Sequence, residues 1–161
     1  MIDRDGLLFL NRYERWATTK ILDAATGIDG AAWSKPNLVG ERGIGGILVH
    51  HLGAYQRWRH FLTGSSEEPR PEDESLIAVD ELRGRWVAEW DWVDAWLGRM
   101  TDAHLRQEHE GMSLWQALLH VFNHGTHHRG QITAAITAMG YPCPEIDMVW
   151  MLQADRMERA T

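Results

Sequence analysis

The stretch that decides the fold is SLWQALLHVFNHGTHHRGQITAAITAM, residues 113–139. It begins with Ser113 and carries Gln116 three residues later, which is the capping-box pattern of a helix N-terminus. Apolar residues then recur every three or four positions, as they do on one face of a helix. They are Leu114, Leu118, Val121, Ile132, Ala135 and Met139. Gly140 follows, and glycine is typical just beyond a helix end. The stretch therefore predicts one long amphipathic helix.

Three more segments have the same spacing, over about residues 3–28, 43–62 and 77–100, and a short last helix is predicted over about residues 147–157. The first has its apolar stripe at Leu7, Leu10, Tyr13, Ala17, Ile21, Ala24 and Ile28. Polar loops separate the segments, at residues 34–37 and 64–71, and the acidic residues of 67–74 suggest a solvated face. Strand-like alternation is lacking. The sequence predicts an all-α fold, a four-helix bundle with a short C-terminal helix, in a single domain over residues 1–161.

Composition excludes several classes of protein. The 161 residues include 16 basic and 23 acidic side chains, a formal net charge of -7, which argues against nucleic-acid binding. Cys143 is the single cysteine, so a disulfide scaffold and paired-cysteine zinc motifs are excluded. The chain has no apolar run that could span a membrane, and its charged N-terminus does not resemble a signal peptide. We expect a cytoplasmic protein that binds neither nucleic acid nor membrane.

Histidines cluster in the deciding stretch. Two histidines four residues apart on a helix can bind one metal ion, and the spacing offers the pairs His120/His124 and His124/His128. At about 100° per residue, His128 falls within the apolar stripe and His124 at its edge, whereas His120 and His127 lie further round. Because a ligand in a bundle core must project inward, the phase favours His124 and His128.

A third ligand is expected from a facing helix. His50 shares a stripe of the second segment with Ile47, Ala54 and Trp58, and His51 is the adjacent alternative. Three neutral imidazoles leave coordination positions open and favour Zn, Ni, Cu or Fe(II) over Mg or Ca. A polar seam of hydrogen-bonded histidines with Asn123 is the alternative to a metal site.

Several stretches together resemble those of a known family. They are YERWA (residues 13–17) with LDAA (22–25), GILVH (46–50) followed by Trp58, HVFNHGTHHRGQ (120–131), and EID (145–147) with ML (151–152). On these stretches nearly the whole chain resembles the DinB-like (damage-inducible) family, close to its YfiT-like metal-dependent hydrolases.

The resemblance implies a four-helix bundle, often dimeric, with a three-histidine metal site. The family's second-helix ligand lies eight residues before the tryptophan, which is His50 here, and its fourth-helix ligands match His124 and His128. Many relatives carry an acidic residue five positions after the first ligand, where this chain has Tyr55. Related branches include transferases and isomerases that use low-molecular-weight thiols.

These observations lead to a functional hypothesis. We expect a metal-dependent enzyme, a hydrolase or a low-molecular-weight-thiol S-transferase, that acts on a small-molecule substrate with a divalent transition metal, Zn or Ni. His127 is the candidate for proton transfer. Asn123, Arg129 and Gln131 are candidates to support the ligands, although Arg129 also suits an inter-helix salt bridge.

Two other functions compete with this hypothesis. One is a non-catalytic, stress-related helical dimer that binds a metal or small ligand, and the other is a purely structural bundle without a metal. A homodimer is also expected. Trp92 and Trp96 lie off the apolar stripe of their segment and suit either a second subunit or another helix. His60, His104 and His109 are expected at the surface, and Cys143 is expected to be a solvent-side or packed thiol.

Overall fold

The computed structural model describes residues 2–36, 42–64 and 78–159. Within them it has seven helices and one antiparallel hairpin. The helices are α1 (Arg4–Ala25), α2 (Gly30–Ser34), α3 (Gly43–Thr63), α4 (Val79–Gly98), α5 (Asp102–Leu105), α6 (Leu114–Ala138) and α7 (Met148–Glu158); the strands are β1 (Glu108–His109) and β2 (Met112–Ser113). Asn37, the polar loop beyond Gly64 and the proposed helix start at Ile77 lie outside the described residues. No described helix has the length and apolar character needed to cross a membrane.

The four long helices form the predicted bundle. Helix α6 packs against α3 and α1, and α4 packs against the same two helices. The predicted all-α four-helix fold is therefore confirmed. Helix α7 is the predicted C-terminal helix, and it packs on α1, where Arg12 Nη1 lies 2.8 Å from Asp155 Oδ2.

Helix α6 begins and ends where the sequence predicts. The Ser113 backbone N–H donates to Gln116 Oε1 at 3.1 Å, and the Ser113 hydroxyl donates to the same oxygen at 2.7 Å. Gly140, just past the helix end, has φ 78°, a left-handed conformation that glycine adopts without strain. Helices α2 and α5 and the hairpin were not predicted, because elements of two to five residues are too short to show a hydrophobic period.

The buried face of α1 differs from the predicted stripe. Leu10, Tyr13 and Ala24 are only half-buried, whereas Asn11 and Glu14 are 1% exposed. Asn11 Nδ2 donates to Asp94 Oδ1 at 2.8 Å. The prediction was wrong here because it followed apolar residues alone. Polar side chains with partners inside the bundle are buried as fully as leucines.

The two tryptophans assigned to an interface also differ from expectation. Trp96 is 6% exposed and belongs to the core of its own chain, and half-buried Trp92 stacks on it at 6.1 Å between ring centroids. They pack within the chain, as the helix-packing alternative predicts, so Trp96 offers no surface to a second subunit. Of the other expected surface groups, His104, His109 and Cys143 are exposed, whereas His60 is half-buried.

Candidate metal centre

Helices α3 and α6 bring three histidines to one place. His50 comes from α3, and His124 and His128 come from successive turns of α6. One ring nitrogen of each lies within 4.8 Å of the others. His128 is buried, and His50 and His124 are half-buried, so the cluster lies at the rim of the bundle, with one side toward solvent.

The ring geometry suits a shared ion. His124 Nε2 and His128 Nε2 are 3.0 Å apart. Two nitrogens that each bind one ion at about 2.1 Å are separated by at most about 4.2 Å, so this pair can share an ion. The His50 ring lies 4.9 Å from the His128 ring and 5.7 Å from the His124 ring, measured between centroids. The three imidazole donors and the closeness of their rings therefore fit a three-histidine site.

Gln131 orients one of the three clustered histidines. Its Oε1 lies 2.7 Å from His128 Nδ1, one turn along α6. An amide oxygen only accepts hydrogen bonds, so this contact places the imidazole proton on Nδ1. The lone pair of His128 Nε2 is then directed at the cluster, which is how outer hydrogen bonds prepare histidine ligands for a metal.

The environment also keeps the imidazoles neutral. Burial and the nearby His128 and His50 rings lower the pKa of His124 to about 4. Burial likewise lowers the pKa of His128, and its contact with Gln131 offsets part of this effect. Because only a neutral imidazole has a lone pair for a metal, both groups are ready to bind near neutral pH.

His51, the alternative ligand, lies deeper than His50 and outside the three-histidine group. It is fully buried, and its ring centroid lies 5.8 Å from that of His128. Burial and the charge of Arg129 hold the pKa of His51 well below its usual value, so the ring is neutral. Its Nε2 lies 3.7 Å from Glu14 Oε2.

A second polar cluster lies directly behind the histidines. Glu14 of α1 pairs through Oε1 with Arg129 of α6, and each side chain is 1% exposed. Glu14 Oε2 accepts a hydrogen bond from the Tyr55 hydroxyl at 3.2 Å. Burial raises the pKa of Glu14, while Arg129 opposes the rise by favouring the carboxylate. Tyr55 of α3 thus contacts an acid supplied by α1.

Gly125 allows this cluster to approach α6. A Cβ at this position would lie 2.4 Å from Glu14 Oε2 and 2.7 Å from His51 Nε2, closer than real Cβ contacts. Only a residue without a side chain leaves room for both groups. A glycine in mid-helix costs about 1 kcal/mol relative to alanine, and Gly125 is a sequence feature that could have pointed to this close approach.

The remaining candidates lie around the histidines. His127 is exposed, with its ring 5.1 Å from that of His128, and Asn123 is exposed on the same helix. Arg129 forms the inter-helix salt bridge considered from the sequence. His120 stacks on His124 at 6.0 Å, beyond the three-histidine group. Sequence reasoning missed Glu14, because a hydrophobic period does not mark a buried carboxylate.

Comparison with known protein families identifies the family of the chain. No curated protein and no solved structure is similar enough to the chain to count as a match. The model of one family, described as the DinB family, matches residues 1–160. The match covers nearly the whole chain and confirms the resemblance found from the sequence motifs, so the chain belongs to the DinB family.

Proposed function

We propose that the protein is a metal-dependent enzyme whose divalent transition metal is held by His50, His124 and His128. It acts as a hydrolase or as a low-molecular-weight-thiol S-transferase on a small-molecule substrate. The observation that carries the proposal is the convergence of three imidazole nitrogens from α3 and α6 within 4.8 Å.

The chemistry of the donors supports the choice of metal. Imidazole nitrogen suits Zn and Ni, whereas Mg and Ca prefer oxygen ligands. A metal bound by three protein ligands supplies a Lewis acid that activates a water or thiol nucleophile at neutral pH. His50, His124 and His128 would hold the metal, and Gln131 would keep the His128 ring oriented.

His127 is our proposal for the proton-transfer group. It lies on the exposed face of α6 with its ring against that of His128, so it can exchange protons with solvent beside the site. Imidazole is suited to this role because its ring nitrogens can both accept and donate a proton. His127→Gln is expected to lower turnover without releasing the metal, whereas His124→Ala should release it.

Elemental analysis tests the metal site. The purified protein is expected to carry one divalent transition-metal ion per chain. His124→Ala should remove it, because His124 supplies one of the three converging ring nitrogens. His104→Ala is the matched control, since His104 is exposed on α5. Full metal content in the His50, His124 and His128 variants would contradict the assignment.

A substrate screen tests the enzymatic part of the proposal. The metal-loaded protein would be incubated with low-molecular-weight thiols and electrophiles, and separately with esters and amides. We expect turnover in one of these sets and its loss in His124→Ala. Full metal occupancy without turnover in either set would instead favour the non-catalytic binding module.

A further inference from the structure

We propose that the buried Glu14–Arg129 ion pair is a positioning device for the metal site: it fixes the rotation of α6 so that His124 and His128 face His50. This inference rests on the metal site in the proposed function. It assigns to the pair no contact with metal or substrate.

The candidate metal ligands and the ion pair lie on the same turns of α6. Arg129 directly follows His128, and Gly125 directly follows His124, so each lies about 100° further round the helix than the ligand beside it. The ligands meet α3, through His50, while Arg129 meets α1, through Glu14. A rotation of α6 about its axis would therefore move both contacts together.

Even a small rotation of α6 would displace the candidate ligands. Side-chain atoms lie about 5–6 Å from a helix axis, so a 10° rotation moves them by about 1 Å. A functional site needs its groups held to within about 0.5 Å. The hydrophobic effect is non-directional and does not by itself select such an angle. A planar guanidinium facing a carboxylate is directional and fixes it well.

Neighbouring side chains hold both Arg129 and Glu14 in place. Arg129 Nη2 donates to the Thr126 hydroxyl at 2.9 Å, and the guanidinium lies over the Tyr13 ring at 5.0 Å. The other carboxylate oxygen of Glu14 accepts from Tyr55, on α3. The pair thus joins α1 to both of the helices that carry the histidine ligands.

Because the pair is buried, replacing both partners can distinguish a positioning role from a purely stabilising one. Both side chains are 1% exposed, and a buried ion pair is often replaceable by apolar residues without loss of stability. A pair that serves only stability should then be dispensable when both partners are exchanged together. A pair that serves orientation should not, because the apolar replacement lacks its direction.

The test is the double variant Glu14→Met/Arg129→Met. Affinity for Zn²⁺ would be measured by competition with a chromophoric chelator, the Co²⁺ complex by its visible absorption, and the metal-free fold by thermal unfolding. We expect the fold to be retained, the Zn²⁺ affinity to fall about 10–100-fold and the Co²⁺ absorption to change. The control is Arg15→Met/Asp91→Leu, which removes an α1–α4 pair that does not involve α6 and should leave the affinity unchanged.

The outcomes are distinguishable. Wild-type affinity in a folded double variant would overturn this inference and leave the metal site standing. Failure of the wild type to bind Zn²⁺ or Co²⁺ would overturn the proposed function itself. If the double variant does not fold, Arg129→Lys decides, because it keeps the charge and loses the planar geometry; unchanged Zn²⁺ affinity in it would overturn the inference.

Discussion

His124 lies among several other imidazoles, and its titration follows from that position. Burial and the His128, His50, His120 and His127 rings lower its pKa to about 4, from an ordinary value of 6.5. Between these two values the unfolded chain binds a proton at this residue and the folded chain does not. The free energy of unfolding of the metal-free protein must therefore fall as the pH falls.

The pH dependence of stability gives a first prediction. In the presence of a chelator, the contribution of His124 to stability is complete above pH 6.5 and is lost progressively as the pH falls toward 4. The free energy of unfolding of His124→Ala should depend less steeply on pH in this window. Urea unfolding of both proteins at several pH values measures the difference. Identical slopes would mean that His124 titrates normally in the folded chain.

The contact between Gln131 and His128 supports a second prediction. Its contact with His128 Nδ1 orients the ring, so Gln131→Ala is expected to weaken Zn²⁺ binding about 10–100-fold. Gln153→Ala, at an exposed position of α7, is the control and should not alter binding. Chelator competition gives both affinities, and equal values for the two variants would show that the amide does not orient the ligand.

Helix α6 contains two glycines with opposite roles. Alanine is intrinsically the better helix former by about 1 kcal/mol. A Cβ placed at Gly130 would meet nothing within 4 Å, so Gly130→Ala should stabilise the protein by up to about that amount. Gly125→Ala should instead destabilise it by about 1–3 kcal/mol, because the new methyl group overlaps Glu14 and His51. Chemical denaturation of the two variants measures both effects, and stabilisation by Gly125→Ala would contradict the close packing of Glu14 and His51 against α6.

The same helix shows what the sequence can predict. Its start at Ser113 and its stop before Gly140 follow from local chemistry, the capping box and the left-handed glycine. The inward position of His128 follows from period alone. The partner of Arg129 cannot be predicted from the hydrophobic period, because Glu14 lies 115 residues away and only the packing of α1 brings it near. The burial of His51 was not predicted for a related reason: the apolar stripe drawn through His50 ignored a polar residue that packs inside the bundle.

For the whole molecule, the corrected position of Trp96 gives a stability prediction. Trp96→Ala removes a side chain that is 6% exposed and should cost about 3–5 kcal/mol in the free energy of unfolding. Trp150→Ala, at a position that is 44% exposed, should change it by no more than about 0.5 kcal/mol. Thermal and chemical unfolding compare the two, and a mild effect of Trp96→Ala would place that indole outside the core.

The homodimer stays a prediction. Its basis is the family resemblance, since Trp96 is not available to a second chain. The exposed large apolar side chains of the described residues are Val87, Val149, Trp150, Leu152 and Met157, and four of these five lie on α7. Sedimentation at micromolar concentration should give the mass of two chains, and a purely monomeric boundary would contradict it.

Because the three candidate ligands are divided between α3 and α6, metal binding would affect how long the protein persists in the cell. A metal held by His50 and by the His124/His128 pair would fasten two helices that are far apart along the chain. Whatever binds only the native state also depletes the unfolded population on which proteases act. The supply of metal would then determine the fraction of molecules with a complete metal site. It would also determine how long each molecule escapes degradation.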